Sequence, residues 1–100
     1  MDKNAIINKL NTNSVVEYLQ KHQIKHIWLW WSYIDNTHND DSDIDIIYEY
    51  DDSSKLFERW PVDAMIFLEK LFHKKVDLLD KDYIHHLIKS NIYDKMQKIW

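Results

Sequence analysis

Apolar residues recur along this chain in two rhythms, one of helices and one of strands. From Ala5 to about Gln20 the spacing is helical: Ile6, Ile7 and Leu10 share one face, and Val15, Val16 and Leu19 share another. The polar run Asn11-Thr12-Asn13 between them predicts a break in the helix. Asn13 or Ser14 is then the expected N-cap of the second piece, with Glu17 completing a capping box from Ser14. Ile24 to Trp31 is rich in β-branched and aromatic residues and predicts a buried strand. A polar loop, Tyr33 to Ser42, leads to a second strand, Asp43 to Tyr50, bounded at both ends by turn-forming residues. Pro61 opens a helix running to about His73, because the first turn tolerates a residue without an N–H, and Met65, Leu68, Leu71 and Phe72 face its core side. Lys75 to Leu79 predicts a short third strand. Asp82 caps a helix over Tyr83 to Ser90, and a last turn or short helix runs through Trp100. The expectation is one α+β domain over residues 1–100, a small mixed sheet of about three strands flanked by helices.

Composition narrows what such a domain can do. A chain of 100 residues buries roughly 60–70% of its unfolded surface, enough for one core. With no cysteine, disulfides, zinc–thiolate sites and thiol nucleophiles are excluded. Seventeen acidic residues against thirteen basic ones give a net charge of −4, so direct binding to nucleic acid is not expected. The N-terminus has no signal-peptide pattern and the apolar stretches are too short to span a bilayer, which points to the cytoplasm and away from membranes. Glycine is absent, against a usual share of about 7%. Walker loops and G-x-G-x-x-G fingerprints are therefore ruled out, and turns must rely on Asn, Asp and Ser, as at Asn36 to Ser42 and Asp51 to Ser54.

The candidate chemistry lies in Ser42-Asp43-Ile44-Asp45-Ile46-Ile47. Strand alternation puts Asp43 and Asp45 on one face and Ile44 and Ile46 on the other. Two carboxylates side by side repel each other unless a cation joins them, and magnesium takes such hard oxygen ligands together with substrate phosphates. Asp77 adds a third acid within the apolar run Val76-Asp77-Leu78-Leu79. A calcium loop starting at Asp41 fails, because its glycine position is Ile46 and its twelfth-position glutamate is Asp52. The histidines lack ligand spacing: a helix-to-strand boundary separates His22 from His26, and His85 and His86 are adjacent neighbours that diverge on a helix. Ser32 has no base nearby in sequence to make it a hydrolytic nucleophile. Trp28, Trp30 and Trp31 read as core rather than as a base-stacking platform. Trp60 and Trp100, near element ends, serve equally well as partner anchors or as packing over the sheet edge.

The spacing carries a family resemblance. Trp30-Trp31-Ser32, ten residues, then Asp43-Ile44-Asp45 resembles the nucleotidyltransferase signature of Gly-Ser, ten residues, Asp-x-Asp. Lys74-Lys75-Val76-Asp77-Leu78-Leu79 looks like that family's third-carboxylate strand, and Leu87-Ile88-Lys89 through Ile92-Tyr93 resembles its C-terminal helix region. The likeness, from roughly Ile24 to the end, is greatest to the minimal nucleotidyltransferases that accompany HEPN-domain proteins in prokaryotic toxin–antitoxin pairs. It implies a nucleotidyltransferase fold in which Asp43, Asp45 and Asp77 hold Mg2+ and Asp77 also helps deprotonate the attacking hydroxyl. Ser32, with Asp43 and Asp45, would bind the nucleoside triphosphate. The implied reaction transfers AMP from ATP to a tyrosine hydroxyl of a HEPN-type toxin, the chain acting as antitoxin.

Two departures from the signature qualify that implication. Trp31 stands where the family has the glycine that admits the triphosphate, and Asp35 stands where it has an arginine that offsets phosphate charge. A second reading is therefore an antitoxin of the same fold that has lost catalysis and neutralises its partner by binding alone. Transfer to a small molecule such as an aminoglycoside fits less well, since this chain has no room for a domain that builds the acceptor pocket. Small size and abundant aromatics predict a hetero-oligomer or homodimer rather than a lone monomer.

Overall fold

The computed structural model describes residues 2–30, 43–51, 61–82 and 96–100. Two short helices come first, α1 (Lys3–Leu10) and α2 (Asn13–Lys21). Helix α1 starts ahead of Ala5 because the Asp2 carboxylate accepts the Ala5 N–H at 2.8 Å and caps it. The break falls where the polar run predicts it. The cap of α2, however, is Thr12 rather than Asn13 or Ser14, and it makes no side-chain cap bond. Its hydroxyl instead donates back to the Lys9 carbonyl at 2.8 Å, closing the end of α1.

Strands β1 (Ile24–Trp30) and β2 (Ile44–Tyr50) pair antiparallel. Helix α3 (Val62–Phe72) follows, with Pro61 at its N-cap position rather than inside the first turn. Strand β3 (Val76–Asp80) then lies parallel to β2. The sequence-based expectation of about three strands with a helical tail needs correction. Met96–Lys98 is a fourth strand, β4, antiparallel to β1, and the sheet order is β3-β2-β1-β4. The tail pairs because the outer edge of β1 would otherwise expose unpaired backbone groups. The expected loop Tyr33 to Ser42 and helix Tyr83 to Ser90 lie outside the described residues.

The helices contribute to one core. Ile6 and Leu10, Val15 and Leu19, and Ala64, Leu68 and Phe72 meet Ile24, Ile27, Leu29, Ile44, Ile46, Tyr48, Val76 and Leu78. Met65 and Leu71 are only partly buried, and Ala64 takes the inward position that their size had suggested for them. Ile24 and Ile27 both reach this core despite their odd spacing. The register slips between Ile24 and His26, so β1 carries one extra residue there and the alternation resets. Trp100 closes the far side: its indole N–H donates to the Leu10 carbonyl at 3.0 Å, and its own carbonyl accepts the Ile27 N–H at 3.1 Å.

Without glycine, the left-handed turns fall to unusual residues. Gln23 (φ 71) ends the α2 region and His73 (φ 54) ends α3. Each strains a backbone that glycine would relax by about 1–2 kcal/mol. None of the described helices is long and apolar enough to cross a membrane.

Candidate functional site

The second face of the sheet carries the acids. Because Ile44, Ile46 and Tyr48 point into the helix-covered core, alternation turns Asp45, Ile47 and Glu49 the other way. On β3 the same rule pairs inward Val76 and Leu78 with outward Asp77 and Leu79. The parallel register then sets Asp45 directly beside Asp77 and Ile47 beside Leu79. Trp30 flanks Asp45 on the β1 side. One step along, Ile47 is fully buried under Trp28, Trp30, Leu79 and Met96, so Trp28 and Trp30 are parts of a second small apolar cluster.

Asp45 and Asp77 are thus brought together from 32 positions apart by the β2–α3–β3 arrangement, and two local contacts fix the acid-bearing starts of the two strands. The Ile44 N–H donates to the Lys75 carbonyl at 3.0 Å, locking the start of β2 to the approach to β3. The Glu69 carboxylate accepts the Val76 N–H at 3.1 Å, tying α3 to the first residue of β3. Neither Glu69 nor Lys75 was picked out by the sequence. An acid on the largely apolar α3 was the available signal for Glu69.

The electrostatics register the crowding. The Asp45 carboxyl is pushed up from 3.8 to about 6, first by burial, then by the charges of Asp77 and Asp43, and last by a side-chain hydrogen bond with Asp77. Such a bond between two carboxyls requires a proton, which Asp45 holds below about pH 6 and gives up above it. Asp43, just before β2, joins through its charge. Of the three acids expected to converge, two touch and the third is electrostatically coupled. Among the described residues, no three His, Cys, Asp or Glu side chains already stand as a group that could hold a metal ion. As a donor set, the carboxylates still suit a hard divalent cation, which would supply the positive charge that a shared proton supplies only at low pH. Ser32, with Trp31 and Asp35, lies outside the described residues.

Other ionisable groups serve the structure. At the far end of this face, Lys81 pairs with Glu49 at 3.6 Å and lies 5.2 Å above the Trp28 ring. His22 ends α2 against the Tyr18 ring, while His26 contacts Trp28 from β1, so these two histidines have separate surroundings. On the core face the Tyr48 hydroxyl is held protonated, its pKa raised by burial and by the charge of Asp80 and the neighbouring Tyr50.

Comparison with known proteins converges on one group. The family model described as "Polymerase beta, Nucleotidyltransferase" matches residues 13–100. A Methanocaldococcus jannaschii protein named as a candidate protein adenylyltransferase is 32% identical over 89 residues, covering 89% of this chain and 92% of that protein. A second from the same organism, named likewise, is 32% identical over 77 residues, covering 76% and 77%. Among solved structures, a chain of a toxin–antitoxin complex crystallised with AMP-PNP superposes with a TM-score of 0.67 at 25% identity, covering 91% of this chain and 73% of that one. A chain of the complex between a tri-AMPylated Shewanella oneidensis HEPN toxin and an MNT antitoxin gives 0.59 at 20% identity, covering 92% and 71%, a likeness of fold. The acid-bearing sheet, the helices behind it and a match over most of the chain lead to one conclusion: this chain belongs to the polymerase beta-type nucleotidyltransferase family.

Proposed function

We propose that this chain is a cytoplasmic, magnesium-dependent protein adenylyltransferase that moves AMP from ATP to a tyrosine of a HEPN-type toxin and so acts as its antitoxin. The observation that carries the reading is the pairing of Asp45 with Asp77 on neighbouring parallel strands, with Asp43 coupled to them. Its relatives named as adenylyltransferases and its likeness to toxin–antitoxin chains support the same reaction class and the same kind of partner.

In this reading Asp43, Asp45 and Asp77 hold the cation. When bound, Mg2+ would offset phosphate charge and that of the displaced group. Ser32, Asp43 and Asp45 position the triphosphate. The tyrosine Oη attacks the α-phosphorus, the bond from that phosphorus to its bridging oxygen breaks, and pyrophosphate leaves. The hydroxyl proton passes to the Asp77 carboxylate and on to water. Catalysis of this kind rests on positioning and charge neutralisation, which a small sheet with three acids can provide.

A binding-only antitoxin is the second reading. It is favoured by Trp31 and Asp35 in the sequence and by acids that do not yet form a three-ligand group. Intact masses recorded after mixing the protein with ATP, Mg2+ and its partner separate the two. One or more AMP units on the partner, lost in Asp43→Asn, support transfer. A stable complex with no mass gain means that neutralisation proceeds by binding alone.

A further inference from the structure

A site built from three acids has to receive a ligand carrying several negative charges. Asp35 occupies the position where the family resemblance expects an arginine, so a side-chain cation that assists the metal would have to stand elsewhere in the chain. The strand register points to one residue. The Ile44–Val76 pairing and the 3.0 Å bond from the Ile44 N–H to the Lys75 carbonyl place Lys75 beside Asp43. Alternation from Asp77 and Leu79 puts position 75 on the acid-bearing face, at the same end as Asp43 and Asp45. Lys75 is exposed, and among the described residues its ammonium makes no ion pair. Lys81, also at the outer edge of this face, is instead engaged by Glu49 and Trp28 about four strand positions away, on the order of 13 Å.

We propose that Lys75 is the phosphate-holding cation of this site, placing its ammonium on the non-bridging oxygens of the triphosphate tail while the acids hold the metal. This rests on the nucleotidyltransferase reading above. A long, exposed lysine side chain suits that role, because it can reach an incoming phosphate as a point charge and release pyrophosphate afterwards.

The test is equilibrium binding of AMP-PNP and of AMP, each with Mg2+, to the wild-type chain, Lys75→Met and Lys75→Arg, with urea unfolding of all three. A charge-assisted contact to phosphate predicts that Lys75→Met weakens AMP-PNP binding roughly tenfold, and that Lys75→Arg largely restores it. AMP, which lacks the tail, should lose no more than about twofold. The contrast in AMP-PNP binding between wild type and Lys75→Met should shrink as salt rises. Equal binding of AMP-PNP by wild type and Lys75→Met, with both folded, overturns the assignment to Lys75 and leaves the nucleotide site standing. Equal losses for AMP-PNP and AMP overturn it as well, because a general distortion would then explain them. If the wild type binds neither nucleotide, the reading of the site fails and this assignment fails with it.

Discussion

Replacing Asp45 by Asn should make this protein more stable above neutral pH. The Asp45 carboxyl is raised from 3.8 to about 6, chiefly by burial and then by the charges of Asp77 and Asp43. A carboxyl with a raised folded value contributes stability that is complete below about pH 3.8 and lost as pH rises through about 6. A shift of roughly two units sets an upper bound of about 3 kcal/mol. Asp45 is only half-buried, and screening by water at such a site reduces the figure to about 1–2 kcal/mol. Asparagine keeps the shape and can still donate a hydrogen bond to Asp77 without a charge. The variant should therefore gain about 1–2 kcal/mol at about pH 8, or on the order of 5–10 °C in Tm for a domain of this size. Near pH 4 its advantage should vanish. Thermal unfolding followed by circular dichroism across this range, with chelator present, measures the difference. Added Mg2+ should then stabilise the wild type more than the variant. A variant no more stable than wild type at high pH, or one whose gain is independent of pH, would refute the claim that Asp45 carries an uncompensated charge.

Three further outcomes follow from the same structure. Asp77→Asn removes a neighbouring charge and alters the carboxyl–carboxyl hydrogen bond, so the Asp45 titration should move from about 6 toward 3.8, read by carbon-detected NMR; an unmoved midpoint would leave burial and the charge of Asp43 as the causes. His73→Gly relieves the left-handed residue at the end of α3 and should add about 0.5–1 kcal/mol in urea unfolding, the gain being partly offset by the greater freedom of glycine in the unfolded chain. Trp100→Phe deletes the indole donor to the Leu10 carbonyl and should lower stability by about 1 kcal/mol, with protection from hydrogen exchange lost first at β4; no change would mean that the contact is not populated in solution.

What the sequence made legible was whatever depends on local period. The break at Asn11-Thr12-Asn13, the strands near Ile24 and Asp43, and the facing of Asp45 opposite Ile44 and Ile46 all follow from alternation or helical spacing. What it hid depends on pairing between distant segments. Met96–Lys98 is too short and too polar to look like a strand, and it becomes one because the edge of β1 is available to it. Thr12 displaced Asn13 and Ser14 as the cap because its position between the helices decides the matter, not the identity of the capping side chain. Gln23 carries no sequence signal for its left-handed backbone, and His73 only the weak one that histidine adopts this conformation more often than most residues. At the site, the sequence could supply three acids but not their distances. The Asp45–Asp77 contact exists because β3 returns parallel to β2 in one particular register, and Glu69 and Lys75 help to hold that register without resembling anything catalytic.

That register bears on the choice between catalysis and binding alone. A parallel pair of strands could place any two residues side by side at this point, and the neighbouring pairs, Ile44 with Val76 and Ile46 with Leu78, are apolar. At the one row between them the chain sets acid against acid, half-buried, with a third acid close by. Exchanging either member for its amide would lower the repulsion at no cost in volume, so the pair works against the stability of the fold as it stands. A module that acts only by docking has no use for that arrangement. A cation held by the two carboxylates would remove the conflict and convert the repulsion into affinity for metal and phosphate. Under the proposed function, the physical sense of the site is a ligand that takes up this charge. If Asp45→Asn and Asp77→Asn both stabilise the protein and leave control of its partner intact, the acids are dispensable and docking suffices. If stability rises while partner control is lost, the repulsion is the counterpart of a working centre.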